Sequence, residues 1–250
     1  MNKRSLKIVI CAAVLLAILL ALILASAVPN RTDYTFALGS GRLREISKET
    51  NDAGHTVITL ADDDYTYRYN LSLRQLQSVL LNSSRCEEIV KAAENKSLKS
   101  AEPDLELWLG AAFPEADYTS LETELHTGSG SPLEAKRYWV KEWQGDILLN
   151  WASLSFTADG RLCMLVRSNN IMPAAEQKVS EAEAVELAAQ YLGISGEFKE
   201  VNLEKVVYGE CVAWHIECSV EKGTMDTYYA LYIDIESGEL IEPALTTSAE

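Results

Sequence analysis

Histidine is the side chain that most often supplies acid, base or metal chemistry near neutral pH, and this chain has three. His55, His126 and His215 stand in no zinc-binding spacing, and the sequence has no C-x-x-C pair, nucleophile elbow or phosphate-binding glycine loop. His215 lies between Trp214 and Ile216 in a predicted strand, where we expect a structural histidine. We therefore predict a protein that is not an enzyme, with no catalytic, cofactor-binding or metal-binding residues.

Acidic residues are the second source of possible chemistry, because carboxylates can catalyse hydrolysis or bind cations. The run "DDD", Asp62 to Asp64, lacks the alternating spacing and distal glutamate of a calcium loop, so we expect a solvated acidic surface. All 37 acidic residues follow residue 28, whereas three of the 22 lysines and arginines precede it. This negative surface repels nucleic acid and anionic headgroups, which argues against both as partners.

Aromatic residues are the remaining candidates for a site. In "YWVKEW", Tyr138 to Trp143, alternation places Trp139 and Trp143 on one strand face, on either side of Lys141. Most such aromatics are core residues, but an open face of this kind suits an extended peptide. The alternative from another class is a cell-envelope hydrolase whose carboxylates are assembled across distant units, and buried acidic pairs in a deep cleft would favour it.

Four cysteines follow the first 28 residues: Cys86, Cys163, Cys211 and Cys218. Four cysteines allow three full pairings, and the sequence does not choose among them. Cys211 and Cys218 are seven positions apart, so in one continuous strand they would face opposite sides and could not bridge. A reduced, core-packed set and a disulfide framework both remain open.

The elements that position these side chains are clearest in "YYALYIDIESGEL", Tyr228 to Leu240. Alternation with period two predicts a strand with one packed face and one wetter face. The packed face holds Tyr229, Leu231, Ile233 and Ile235, and the other holds Tyr228, Ala230, Tyr232 and Asp234. A turn is predicted at Glu236-Ser237-Gly238, because glycine takes a positive φ without steric cost.

A helix is predicted shortly before this strand. Ser180 and Glu183 have the spacing of a capping box, and Gly193 suits a C-terminal cap. The apolar stripe expected to pack on a sheet is Val185, Ala188, Ala189 and Leu192.

The chain also resembles itself when shifted by about 78 residues. The shift aligns Glu102–Phe113 with Ser180–Tyr191, and Leu154–Leu162 with Leu231–Leu240. Each unit is predicted to contain one helix and then antiparallel strands, ending in a strand, a glycine turn and another strand. The strands predicted for the first unit are Tyr118–Thr127, Lys136–Gln144 and Leu148–Thr157.

The N-terminus carries a membrane signal. Three basic residues precede Ile8–Val28, an uncharged run of 21 residues. A helix of that length spans about 30 Å, and the basic flank predicts a cytoplasmic N-terminus and an extracytoplasmic remainder. Cleavage after Ala27 would give a secreted protein, but the run exceeds a usual signal-peptide core, so we predict an uncleaved single-pass anchor in the cell membrane.

Four regions are therefore predicted along the chain: 1–28 as cytoplasmic tip and anchor or signal, 34–100 as an N-terminal region, 101–168 as the first unit and 179–243 as the second. Within 34–100, Arg42–Lys48 and His55–Leu60 are predicted to form a hairpin, and Ser72–Lys96 is predicted to be mostly helical.

The second unit resembles the PepSY domain in "VSEAEAVELAAQYLG", "AWHIECSVEKG" and "YYALYIDIESGELIE". Asp234, Gly238 and Leu240 match the turn that ends that family's pattern, and Asp159 and Gly160 stand at the corresponding place in the first, more diverged unit. Together with the predicted anchor, the resemblance implies an α+β fold: an N-terminal transmembrane helix followed by tandem helix-on-antiparallel-sheet units.

The function implied by this resemblance is binding without catalysis. PepSY domains occur in propeptides of secreted metallopeptidases and in membrane-anchored extracytoplasmic bacterial proteins, and the layout here is similar to the YycH/YycI type of regulators of a sensor kinase. We therefore expect a regulatory protein of the bacterial cell envelope that engages a protein or peptide partner, by peptidase inhibition or sensor regulation, and that needs no cofactor.

Overall fold

Strands predominate over helices in the computed structural model, which describes residues 34–51, 54–116, 120–195, 197–222 and 225–248. The first eight strands are β1 (Arg44–Thr50), β2 (Thr56–Ala61), β3 (Tyr65–Asn70), β4 (Gln75–Leu81), β5 (Leu121–Thr127), β6 (Lys136–Gln144), β7 (Ile147–Phe156) and β8 (Leu162–Arg167). The others are β9 (Glu200–Tyr208), β10 (Cys211–Lys222), β11 (Met225–Asp234) and β12 (Leu240–Ser248). The helices within these ranges are α1 (Ser83–Glu94), α2 (Leu105–Ala112) and α3 (Glu181–Leu192).

All twelve strands belong to one sheet. Its main path is β1-β2-β3-β4-β8-β7-β9-β10-β11-β12, with β6 on the other side of β7 and β5 beside β6. Every pairing is antiparallel except that of β7 with β9, where Ile147 and Leu148 lie parallel to Lys205 and Val206. We call these two residue pairs the β7–β9 joint. It links the strands of the first predicted unit to those of the second.

The predicted fold class, α+β with tandem helix-on-antiparallel-sheet units, is wrong. The order of one helix and then four strands does occur twice, as α2-β5-β6-β7-β8 and as α3-β9-β10-β11-β12. The two sets share a single mixed sheet, however, because backbone pairing at the β7–β9 joint continues from one set into the other. Local periodicity specifies strands and their faces but not which distant strand lies alongside.

The predicted anchor, Ile8–Val28, lies outside the described residues. Across the ranges that the structure does describe, no helix is both long enough and apolar enough to cross a membrane.

The C-terminal half of the sheet packs against α3 on one face. Ser180 and Glu183 form the predicted capping box, and Gly193 ends the helix in the left-handed conformation, so both signals are confirmed. Ala184 and Ala188 are the buried residues of the helix, with Leu187 packed beside them, so the buried stripe is turned slightly from the predicted one. Small side chains at the contact let the helix approach the sheet closely.

The predicted faces of β11 are confirmed. Leu231 and Ile233 are fully buried under α3, together with Trp214 and Ile216 of β10. The following turn also has the predicted geometry. Its carboxylate, Asp234 Oδ1, accepts hydrogen bonds from the backbone N–H groups of Glu236 and Ser237 at 2.8 Å each, and Gly238 has a φ of 74°. Tyr232 and its alternate neighbours therefore lie on the face that carries none of the described helices.

The N-terminal region contains the predicted hairpin, β1 with β2, but the prediction of helix over Ser72–Lys96 is wrong for its first half. Residues 75–81 form β4, and the helix begins only at Ser83. A register shift between Arg68 and Tyr69 of the partner strand β3 leaves Leu76, Val79 and Leu81 as the buried residues of β4. Their spacing of three and then two imitates a helical stripe.

A buried ion pair lies on the helix-bearing face of the first half. The Arg167 guanidinium is 3.2 Å from Glu142 Oε2, and its side chain is 3% exposed. The same carboxylate oxygen accepts a hydrogen bond from Asn150 Nδ2 at 2.8 Å, and the guanidinium lies 4.4 Å from the Phe113 ring centroid. Burial lowers the pKa of Arg167, and the charge of Glu142 opposes that shift. This pair gave no signal in the sequence.

Candidate functional site: an aromatic groove on the open sheet face

The aromatic platform predicted on β6 exists in altered form. Trp139 is 39% exposed, and its ring centroid lies 5.7 Å from that of Trp151 on β7, which is 37% exposed. Trp143, the second predicted member, does not line the groove: its Nε1 donates a hydrogen bond to Glu122 on β5, and Lys141 Nζ lies 5.6 Å from its ring centroid. A register shift between Glu142 and Trp143 separates the two predicted positions.

A second aromatic cluster lies on the other side of the β7–β9 joint, on β9, β10 and β11. The Tyr232 ring stacks between two others, with the Tyr208 centroid at 4.2 Å and the His215 centroid at 4.7 Å. Register explains this placement, because His215 pairs directly with Tyr232 on β11 and paired residues share a face. The sequence interpretation of His215 as a structural residue fits its half-buried, stacked position. The stack nevertheless stands at the surface of the groove.

Between the two clusters the sheet face is hollowed into a groove of about 750 Å³. Its lining comes from five strands, β6, β7, β9, β10 and β11. Lys141 of β6 forms an ion pair with Glu204 of β9 inside it, so a charged contact spans the joint. The groove therefore belongs to both predicted units and to neither alone.

A second hollow of about 730 Å³ continues the groove along β10. The two share Asn202 and Glu217, and the second ends beside Glu200, Ser219 and Tyr228. Ser219 is 1% exposed, and its hydroxyl has no hydrogen-bond partner within the described structure. From His215 to Ser219, the residues of β10 that line the two hollows span about 13 Å, at ~3.3 Å per strand residue.

The aromatic cluster is uncharged at neutral pH. Burial lowers the pKa of His215, although Glu217 acts in the opposite direction. The hydrogen bond that Tyr208 donates to Glu242, followed by burial, raises the pKa of Tyr208 to about 12. Burial also raises the pKa of Tyr232. A neutral histidine and two neutral phenols thus offer flat, polarisable faces to a ligand.

The fixed charges of the groove are mostly negative. Its acidic lining residues are Glu200, Glu204 and Glu217, and Glu204 is paired with Lys141. Neither Glu200 nor Glu217 pairs with a lysine or arginine of the described chain; Glu217 Oε1 lies 4.0 Å from His215 Nε2. Two carboxylates are therefore left to meet a cation from outside.

The acidic run at Asp62 has a structural role in the observed turn. Asp62 Oδ1 accepts hydrogen bonds from the N–H groups of Asp64 and Tyr65, and Oδ2 accepts one from the Tyr67 hydroxyl. Asp64 in turn binds Arg85 through its side chain at 2.8 Å. In the ranges described, no three histidine, cysteine, aspartate or glutamate side chains are grouped so as to hold a metal ion.

Sequence reasoning missed Trp151, Tyr208 and Glu204. Trp151 carries a detectable signal, because it is an exposed aromatic residue in a strand whose following five residues are all buried. Tyr208 and Glu204 carry none, since they join the site only through the parallel pairing of β7 with β9, which brings together residues 58 positions apart.

Comparison with known proteins gives one structural likeness. The structure is similar to the Bacillus megaterium YpeB C-terminal domain with a TM-score of 0.35 and 11% sequence identity, over 87% of this chain and 93% of that chain. That domain belongs to a PepSY-containing protein, and a likeness of this size does not assign a family. No protein-family model matches the chain, and no curated protein matches it.

Proposed function

We propose that this chain is a non-enzymatic binding protein of the bacterial cell envelope that holds an extended, cationic segment of a protein partner in its aromatic groove. The observation that carries the proposal is the groove itself, an open hollow lined by two clusters of aromatic residues on the sheet face that carries no helix of the described chain. Aromatic side chains that are partly solvent-exposed lose hydration on contact and anchor partners efficiently.

Shape favours an extended occupant. The groove and its continuation follow β10 for about 13 Å, the length of roughly four residues in a strand-like peptide. A folded domain would contact only a shallow hollow, which is smaller than the surface that a standard protein interface buries. Side chains of an extended segment alternate, so some can face the aromatic clusters while others face solvent.

Charge favours a cationic occupant. Glu200 and Glu217 lie at the continuation of the groove beside Tyr228, which is 39% exposed. A lysine or arginine placed there would meet two carboxylates and an aromatic face, and both contacts are favourable for a cation. The net charge of −15 for the whole chain adds long-range attraction for such a segment.

The hydrolase alternative gains no support from the described carboxylates. Buried Asp62 is held by three hydrogen-bond donors, and Glu142 is paired with Arg167. Acid–base catalysis of this kind needs two carboxylates with separated pKa values beside a substrate cleft. The carboxylates of the groove are instead paired across the joint or open to solvent.

The PepSY assignment and the membrane anchor enter as part of the same proposal. The Ser180 capping box and the Asp234–Gly238 turn support the first, and the apolar run Ile8–Val28 supports the second. The intact mass of protein extracted from membranes tests the anchor. A mature chain beginning at Val28 would contradict it.

Selection of a random dodecapeptide library, displayed on phage, against the full chain in detergent micelles tests the binding function. We expect selected peptides to lose affinity about 30-fold on Tyr232→Ser or Trp151→Ser, equivalent to the ~2 kcal/mol of an interface hot spot. Ile171→Ser is the matched control, because Ile171 is 61% exposed and lies outside the groove.

The charge component has a separate readout in the same experiment. Selected peptides should be rich in lysine and arginine, and Glu217→Gln should weaken their binding more at low salt than at high salt. Peptides that bind equally to wild type and to both aromatic variants would contradict the groove as the site. Peptides that depend on the groove but lack cationic residues would contradict the cationic partner alone.

A further inference from the structure

Two half-buried thiols meet where the N-terminal strands join the rest of the sheet. Cys86, in the first turn of α1, has its Sγ 3.7 Å from the carbonyl oxygen of Leu81, the last residue of β4. In the antiparallel pairing of β4 with β8, Leu80 lies opposite Met164. Continuing that register by one residue brings Leu81 opposite Cys163. The fold thus places Cys86 beside β8, the strand that contains Cys163.

The two side chains lie close enough that each thiol affects the pKa of the other. Burial raises the pKa of Cys86, and Arg161 and the Cys163 thiol act in the opposite direction. Burial, with further contributions from Cys86 and Glu134, raises the pKa of Cys163 to about 11. The thiolate is the reactive form, and Arg161 favours that of Cys86 whereas Glu134 disfavours that of Cys163, so we expect Cys86 to react first.

We propose that Cys86 and Cys163 form a reversible disulfide by exchange with a disulfide oxidant, either a small molecule such as oxidised glutathione or an oxidised dithiol protein. The Cys86 thiolate attacks one sulfur of the oxidant and releases the other as a thiol, leaving a mixed disulfide. The Cys163 thiol then loses its proton, attacks the Cys86 sulfur and releases the second thiol. Two protein thiols are oxidised, and one disulfide of the oxidant is reduced to two thiols.

A disulfide between Cys86 and Cys163 would have a structural effect, because it lies beside the pairing of β4 with β8. β4 and β8 are paired only through Ser78, Val79 and Leu80, so the first four strands are attached to the rest of the sheet by a short ladder. The cysteines stand 77 positions apart, and closing a long loop constrains the unfolded chain. A bridge there would fasten the beginning of α1 to β8 beside that ladder.

The other described cysteines do not compete for this bridge. Cys218 is buried in the core under α3, while the Cys211 thiol donates a hydrogen bond to the Tyr208 carbonyl oxygen at 3.2 Å. They lie on opposite faces of β10, as the sequence spacing predicts. The sequence left three full pairings open. The geometry supports no pairing that contains a Cys211–Cys218 bridge, and the single bridge that it supports is Cys86–Cys163.

The test treats the purified full chain with oxidised glutathione, alkylates the remaining thiols and maps the proteolytic peptides by mass spectrometry. We expect one cross-linked species joining the peptides of Cys86 and Cys163, with Cys218 alkylated only after denaturation. The cross-link should form at an unchanged rate in Cys211→Ser, the matched control. Reduction with dithiothreitol should restore two alkylatable thiols and lower the thermal unfolding midpoint.

Single substitutions separate a redox pair from two packed thiols. In Cys163→Ser the reaction should stop after its first step, leaving glutathione on Cys86, whereas Cys86→Ser should leave Cys163 largely unmodified. Failure of the wild type to form the Cys86–Cys163 cross-link at any ratio of oxidised to reduced glutathione would overturn the proposal. A cross-link from Cys86 to another cysteine, or equal glutathionylation of both single variants, would also overturn it.

Discussion

The buried ion pair of Arg167 and Glu142 allows a quantitative prediction about stability. Glu142→Leu leaves the Arg167 guanidinium, whose side chain is 3% exposed, without its counter-ion. It also leaves the Asn150 amide without an acceptor. Removing one partner of a buried pair costs about 3–5 kcal/mol, a large fraction of the stability of an ordinary domain. We expect the free energy of unfolding to fall by that amount.

The reverse single change should cost less. Arg167→Met leaves a Glu142 side chain that is 14% exposed and still accepts a hydrogen bond from Asn150. We therefore expect a loss of about 1–3 kcal/mol, the cost of an incompletely satisfied polar group. In the double variant Glu142→Leu/Arg167→Met no charge stays buried and the methionine can pack against Phe113, but the Asn150 amide still lacks its acceptor, so we expect a loss of only about 1–3 kcal/mol.

Urea unfolding of the full chain in detergent, followed by tryptophan fluorescence, measures all three variants. The sum of the single losses should exceed the loss in the double variant by several kcal/mol. The same cycle on Glu87 and Lys91, whose side chains are both 69% exposed, should give a coupling of only about 0.3–0.5 kcal/mol. Additive losses at Glu142 and Arg167 would refute the inference that this pair is buried and mutually dependent.

Three further outcomes follow from the two faces of the sheet and from the turn at Asp62. Ile233→Asp should unfold the C-terminal half, because it places a charge at a fully buried position, whereas Tyr232→Ser should leave the thermal midpoint nearly unchanged; the opposite result would reverse the faces of β11. Burial lowers the folded-state pKa of His215, so its contribution to stability is complete above pH ~6.5 and is lost as pH falls from there through the folded pKa. The loss of stability between pH 7 and 5 should therefore be smaller in His215→Gln than in wild type. Glu217 and Glu204, which oppose the shift, are kept in this variant, and a pH profile identical to that of wild type would contradict the prediction. Asp62→Ala should lower the free energy of unfolding by about 2–3 kcal/mol in urea titrations, because three hydrogen-bond donors lose their acceptor, and a loss below ~0.5 kcal/mol would show that the turn does not need it.

The parts of the fold that could be predicted are those specified by neighbouring residues. The capping box at Ser180, the left-handed cap at Gly193 and the two faces of β11 each depend on a stretch of fewer than fifteen residues. The strand bounds of the first unit were also close, since β6 spans the predicted Lys136–Gln144. In each case local chemistry and tertiary packing favour the same conformation.

The parts that could not be predicted depend on contacts between distant segments. The helix expected from Ser72 is instead strand up to Leu81, because pairing with β3 and β8 outweighs the ambiguous spacing of its apolar residues. The single sheet depends on the β7–β9 joint, and no pattern within either strand indicates a parallel partner. The same holds for the candidate site, because part of it depends on long-range strand pairing. Trp139 could be predicted from the sequence, whereas Tyr208 became part of the site only through the β7–β9 joint.

The shortness of the β7–β9 joint has a consequence for how binding is coupled to conformation. Only two residue pairs carry the strand pairing between the two halves of the sheet, so few backbone hydrogen bonds fix the angle between them. Side-chain contacts that span the joint at the groove include the Lys141–Glu204 ion pair and the hydrogen bonds that Asn170 Nδ2 donates to the carbonyl oxygens of Leu149 and Val207. A ligand that touches Trp151 on one half and Tyr232 on the other selects a narrow range of that angle, and its affinity includes the entropy lost in doing so. By reciprocity, any change that stiffens the joint in the bound arrangement raises affinity without touching the ligand. Under the proposed function, occupancy of the groove would therefore change the relative motion of the two halves, a form of output that a binding protein can pass on to a neighbour.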